Sequence, residues 1–270
     1  MTHILLSIGD RVGEGSYTLH SRFRQAVNFA SGSRLAALVD PAIAAGPVNV
    51  IIDGLDLPSV CTLEVKGVSV VVNGIPFAVA PAQKYDSSMS FCEGRKIPRQ
   101  NIRHLRTLLC EHAPEKSMAY LLDPGRKKGF RPGFEAAVRD QLQQGADLYF
   151  RGDVEDGVTK LHGCGFGLTP SGDDFIAGIM IALHALGKDE TRVLRDRILR
   201  HAQGGGIIVS SFLSLAGDGR VNELMRSLLE SLLNKEQDAI TNAAVRCFAV
   251  GATSGADLCT GLVAALERGL

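Results

Sequence analysis

The residues best equipped for chemistry lie between Gly163 and Asp174, in the run GCGFGLTPSGDD. Gly163, Gly165 and Gly167 alternate along it, and without a Cβ they leave the backbone free to turn tightly and to approach a ligand closely. Thr169, Ser171, Asp173 and Asp174 then bring hydroxyls and carboxylates to the point where Phe175, Ile176, Ile179, Met180, Leu183 and Leu186 begin a helical apolar period. The pattern predicts a loop feeding a helix N-terminus, whose unpaired N–H groups and partial positive charge suit an anion. A plain helix cap at Ser171 or Asp173 is the simpler reading, stabilising by about 1 kcal/mol. One cap needs one side chain, however, and Gly178 inside the helix costs about 1 kcal/mol relative to Ala, so capping alone leaves this composition unexplained.

The motif recurs. Ser254-Gly255-Ala256-Asp257, with Gly261 beyond it, repeats Ser171-Gly172-Asp173-Asp174 with Gly178 at an offset of 83 residues. An apolar helical pattern follows again, through Leu258, Leu262, Val263 and Leu266. Two helix N-termini, each entered through Ser-Gly-x-Asp, are therefore expected to point at one site. Lys160 and His162 precede the first loop; either could reach an anion or donate a proton, but a lone His near a loop is more often a bystander. Cys164 lacks a neighbouring His that would activate it as a nucleophile.

The elements that must position these residues fall into two halves. Up to about residue 90 the signals are strands: Ile4 to Ile8, Leu35 to Val39, Val48 to Ile52, Val60 to Val65, Val68 to Val72 and Phe77 to Val79. Phe23 to Phe29 alternates imperfectly and is also assigned to strand. Asn73-Gly74 is a strong two-residue hairpin signal. A small β-barrel or sandwich over residues 1–90 is predicted. Residues 81–98 read as a linker, after which the period becomes helical. Ile102 to Leu109, Phe134 to Leu142, Val193 to Leu199, Ile207 to Leu215, Val221 to Leu233 and Ile240 to Phe248 mark successive helices. The fold class expected is α+β, with a helical domain over 91–270 carrying both Ser-Gly-x-Asp loops. Arg126-Lys127-Lys128 with Arg131 reads as a solvated basic turn.

Composition narrows the function classes. Lys and Arg number 29, Asp and Glu 29, so neither nucleic acid nor an anionic membrane is implied as a partner. No apolar run reaches the length of about 18 residues that a spanning helix needs. Six cysteines are scattered without metal spacing, and no signal peptide opens the chain, which points to a reduced, cytoplasmic protein. The loop is no Walker A, because it lacks Gly-Lys-[Ser/Thr].

Three blocks together resemble a bacterial family formerly classed as a domain of unknown function, which includes the AllH subunit of oxamate carbamoyltransferase. They are Gly167-Leu168-Thr169-Pro170-Ser171 with Asp173-Asp174 and Gly178; Ser211-Phe212-Leu213 with Ala216 and Gly219; and Gly251 with Thr253-Ser254-Gly255-Ala256-Asp257 and Gly261. The resemblance is firm from about residue 160 onward. Before that it thins to Phe23-Arg24-Gln25-Ala26-Val27-Asn28 with Gly32, and Gly46-Pro47. Gly172 departs from the family pattern, in which AllH carries a His.

The resemblance implies phosphorolysis of oxalurate to oxamate and carbamoyl phosphate, in anaerobic allantoin and purine breakdown, carried out with other carbamoyltransferase subunits. Both substrates are anions, so donors are needed to neutralise them and to polarise the carbamoyl carbonyl. The expected cradle comprises backbone N–H groups at Ser171 to Asp173 and Ser254 to Ala256, with Gly167, Thr169, Ser171, Gly172, Ser211, Thr253, Ser254 and Gly255 binding substrate. Asp173, Asp174 and Asp257 are the catalytic candidates. Because carboxylates repel phosphate, a weakly held Mg²⁺ on Asp174 or Asp257 is expected to bridge them. The alternative is a non-catalytic subunit that binds an anionic metabolite or serves as scaffold.

Overall fold

The computed structural model describes residues 3–187, 189–234 and 236–269. The chain forms two units, Met1–Ser88 with Arg220–Glu223, and Met89–Gly219 with Leu224–Leu270. The architecture is α+β: a curled nine-stranded sheet comes first and a helical region follows.

In the first unit the strands are β1 (Ile4–Gly9), β2 (Gly15–Arg22), β3 (Ala26–Ser31), β4 (Arg34–Val39), β5 (Asn49–Asp53), β6 (Leu63–Lys66), β7 (Ser69–Val72), β8 (Ile75–Ala78) and β9 (Lys84–Tyr85). Their spatial order is β8-β7-β6-β2-β3-β4-β5-β1-β9. Pairings are antiparallel except for β4 with β5 and β1 with β9. Asn73 and Gly74 both take positive φ, 49° and 80°, the backbone that a two-residue hairpin turn between β7 and β8 requires. Val27, Phe29, Leu38, Val50, Leu63 and Val70 lie in one apolar cluster inside the curl. Ala37, Val39, Ala45 and Ile51 form a smaller cluster. Burial on both faces explains why Leu35 to Val39 reads as a continuous apolar run.

Some expected strands shift. Phe23 to Phe29 is not one strand: the Phe23 N–H closes a turn onto Ala26 O at 2.7 Å, and β3 begins at Ala26. Its Val27, Asn28 and Phe29 are all buried, which removes the alternation. Of Val60 to Val65, Val60 closes a 3-10 turn at Leu57–Ser59 and the strand begins only at Leu63. β2 had no apolar signal to announce it, because Tyr17 is its sole buried residue. Within the expected linker, β9 and 3-10 turns at Pro81–Gln83 and Ser90–Cys92 are ordered structure.

In the second unit the helices are α1 (Arg99–His112), α2 (Phe134–Arg151), α3 (Val154–Leu161), α4 (Ser171–Leu186), α5 (Asp189–His201), α6 (Gly206–Gly217), α7 (Glu223–Asn234), α8 (Gln237–Phe248) and α9 (Ser254–Arg268). Glu223, the first residue of α7, belongs to the first unit. Val221, expected in that helix, instead donates its N–H to Ser87 O at 2.9 Å and accepts from the Tyr85 hydroxyl at 3.0 Å. The basic turn is not simply solvated: Arg126 donates to the carbonyls of Cys110, Ala113 and Pro114, clamping the end of α1. Among the described residues no helix is long and apolar enough to cross a membrane.

α4 is buried around nearly its whole circumference, His184 and Leu186 excepted, as befits a helix apolar on every side. It packs side by side with α9. A Cβ on Gly178 would stand 2.0 Å from Leu258 O, and one on Gly261 would stand 2.1 Å from Phe175 O. These contacts correspond under the same 83-residue offset as the two Ser-Gly-x-Asp motifs. The glycines thus let the helix backbones touch, and that contact sets the two N-termini beside one another.

Candidate functional site

Each of the two helices is entered by a sharp turn whose glycine leaves no room for a side chain. At Gly172 a Cβ would lie 1.9 Å from Leu161 O, and at Gly255 it would lie 1.8 Å from Cys247 O. No side chain, a His included, fits at Gly172 on this backbone. The Gly172 N–H donates to Cys164 O at 2.9 Å and that of Gly255 to Val250 O at 3.1 Å, so the turns close in the same way despite a longer first loop. Neither helix carries a side-chain cap: Pro170 and Thr253 occupy the capping positions without a capping hydrogen bond. The simple capping explanation therefore fails for Ser171 and Asp173.

The turns meet through their hydroxyls and carboxylates. Thr169 Oγ1 lies 3.1 Å from Ser254 Oγ and donates to Asp174 Oδ2 at 3.2 Å. Ser254 also stabilises the Asp174 carboxylate, while Ser171 and Thr253 do the same for Asp257. Each carboxylate is thus steadied by the serine of the other turn. Asp257 is fully buried; its Oδ1 accepts from the Met118 N–H. The Ser171 and Thr253 hydroxyls sit near it, but Oδ2 completes no hydrogen bond.

Burial dominates the electrostatics. It pushes Asp174 up to about 8, helped by the neighbouring charge of Asp257. Asp257 is pushed up to about 7, again by burial. Both carboxyls are shielded from water, and Asp174 is raised further by the charge of Asp257, so they ionise less readily than free carboxyls.

Asp173 plays a different part. Its Oδ1 stands 2.6 Å from His162 Nδ1, and its Oδ2 accepts from the Gly163 N–H at 3.0 Å. Burial raises its pKa, and the His162 contact works in the opposite direction. With both oxygens engaged, Asp173 orients His162 rather than facing a substrate. The imidazole packs beside Gly204 and Gly205, the loop that enters α6. His162 is the residue that the sequence reading passed over, since its partner is eleven positions away and no local spacing signals the pair. Cys164 is buried, its thiol pushed up by that burial, which suits packing rather than nucleophilic attack.

The cradle of amides is smaller than expected. The N–H groups of Gly172, Asp173 and Gly255 all donate to carbonyls of the chain, and Gly165 packs against Ser171 N. Thr169, Ser171, Thr253 and Ser254 are brought together with Asp174 and Asp257. Gly167 sits on the exposed loop between Phe166 and Leu168. Ser211 is half-buried on α6 and takes no part in the hydrogen bonds that join the turns. Among the described residues no group of three or more His, Cys, Asp or Glu could hold a metal ion.

No curated protein and no solved structure matches the chain. Residues 161–266 match the family model described as oxamate carbamoyltransferase subunit AllH. The matched segment opens at the last residue of α3 and closes within α9, so it encloses both turns and the helix pair between them. Over this segment the chain is similar to the AllH-containing family.

Proposed function

We propose that the chain is a carbamoyltransferase-type subunit whose paired turns hold an anionic, carbamoyl-bearing substrate. The reaction is that of the family name: oxalurate and phosphate give oxamate and carbamoyl phosphate, within allantoin and purine breakdown in the cytoplasm, with further subunits supplying the rest of the enzyme. The observation that carries this reading is the Asp174–Asp257 pair, buried between two helix N-termini with Asp257 Oδ2 unpartnered. A pair that shares a proton no longer repels an anion as two carboxylates would. It also offers a proton donor with a pKa near neutrality, the range in which general acids work best.

In the reaction a phosphate oxygen attacks the carbamoyl carbon and the bond from that carbon to the oxamate nitrogen breaks. The nitrogen must gain a proton and the phosphate lose one, and the carboxyl pair is the proposed carrier. Asp174 and Asp257 are the groups assigned to this transfer. Thr169, Ser171, Thr253 and Ser254 are the hydroxyl donors, and Asp173 holds His162 in orientation. Mg²⁺ on Asp174 or Asp257 is the competing way to relieve the repulsion, with substrate oxygens completing its shell.

Titrating phosphate and oxalurate into the full chain distinguishes these ideas. If the shared proton matters, binding weakens from about pH 6 to about pH 9 as the pair ionises, and Asp174→Asn, which cannot ionise, flattens that dependence. Binding that instead strengthens with pH and vanishes on chelation assigns the site to Mg²⁺. Unchanged affinity in both Asp174→Ala and Asp257→Ala removes the site from the function altogether. The non-catalytic alternative is favoured by the amides of Gly172, Asp173 and Gly255 being already engaged; it requires binding without turnover even when the partner subunits are added.

A further inference from the structure

At the other end of the α4–α9 pair, the C-terminal ends of both helices and the start of α1 border a half-open cavity of about 510 Å³, its five cations exposed at the surface. The helices rise about 1.5 Å per residue, which separates this cavity from the paired turns by the length of α4. Arg95, Lys96, Arg99, Arg103 and Arg268 line it, with Glu267 as the one acid among the lining residues. Glu267 is committed elsewhere, its carboxylate 2.8 Å from the Arg106 guanidinium. Among the described residues none of the five cations makes an ion pair. Arg95 donates to the Asn234 side chain at 3.0 Å, and Arg268 lies over the Phe150 ring.

Arg268 at the end of α9 is placed as a helix dipole prefers. Arg99 in the first turn of α1 is not. Arg95 and Lys96 precede α1, Arg99 begins it, and its first turn contains no acidic residue. A cation in the first turn of a helix opposes its dipole. A chain of zero net charge has no general cationic surface to explain such a concentration. Buried Ile102 and Leu266 add an apolar wall, and the volume falls in the range of about 300–1,000 Å³ typical of small-molecule sites.

We propose that this cavity is a second ligand site, for a phosphorylated metabolite of nucleoside-polyphosphate size whose phosphates meet Arg95, Lys96, Arg99 and Arg103 and whose organic part lies on the apolar wall. It is independent of the function proposed for the paired turns.

The test is calorimetric titration of the full chain with ATP, pyrophosphate and inorganic phosphate at several salt concentrations. ATP is expected to bind tightest and phosphate weakest, with affinity falling as salt rises. The double variant R99E/R103E is expected to lose at least about tenfold in ATP affinity while its melting temperature stays level or rises, since acids at that helix end suit the dipole. Asp174→Ala is expected to leave ATP binding intact. The proposal is overturned if the wild-type chain binds none of the probes, if R99E/R103E binds ATP as well as wild type, or if Asp174→Ala abolishes the ATP signal.

Discussion

Asp174 and Asp257 show how little a residue's identity says about its charge. Both titrate far above the ordinary carboxylate value of 3.8 because the folded chain shields them from water. The folded state therefore holds these protons more tightly than the unfolded chain does. Their stabilising contribution is complete below the unfolded value and is lost as pH rises through about 7 and about 8. Wild-type melting temperature is expected to fall between about pH 5 and about pH 9, whereas Asp174→Asn falls less and is the more stable protein by a few degrees at the alkaline end. Scanning calorimetry across that range checks it, and parallel curves for the two proteins would contradict the raised pKa. The Ser-Gly-x-Asp spelling was legible in the sequence; the protonation state was not, because burial depends on what α4 and α9 pack against.

At the scale of elements, the contact between α4 and α9 decides whether a site exists. Gly178→Ala gains about 1 kcal/mol of helix propensity. It also sets a methyl 2.0 Å from the Leu258 carbonyl oxygen, a backbone atom that cannot swing aside. Overpacking of this kind costs about 1–3 kcal/mol or more, so a net loss of stability is expected, and Gly261→Ala should mirror it against Phe175. Because the helices must part to admit the methyl, the turns at their N-termini separate too. Denaturant unfolding combined with anion titration should record both losses together; a Gly178→Ala chain that is more stable than wild type would show that the close contact is not formed. Most of the helices were readable from apolar periodicity, α3 excepted. β2 and the 3-10 turn at Leu57–Ser59 were not, since a largely exposed strand carries no alternating apolar signal.

For the whole molecule, the feature that sequence order conceals is the return of Arg220–Glu223 to the first unit. There Arg220 pairs with Asp10 at 2.9 Å, and the Glu223 N–H donates to Ala45 O at 2.9 Å. A fragment ending at Ser88 lacks these partners and leaves Ser87 O without its Val221 donor. It is expected to melt below the same unit in the full chain, with faster amide exchange around Asp10, Ala45 and Ser87. Equal melting temperatures would show that the returning segment contributes nothing. What could be read from the residues alone was local: most strand and helix periods, the Asn73-Gly74 hairpin, the glycine-rich turns and their repetition, and through these the family resemblance. Such signals span only a few neighbours along the chain, where backbone sterics and side-chain period act. The meeting of Thr169 with Ser254, the shared burial of Asp174 and Asp257 and the cationic cavity between α1, α4 and α9 join residues far apart in sequence, and the His162–Asp173 pair spans eleven positions. Packing creates those distances and the loss of water around them, so they emerged only once the chain was folded.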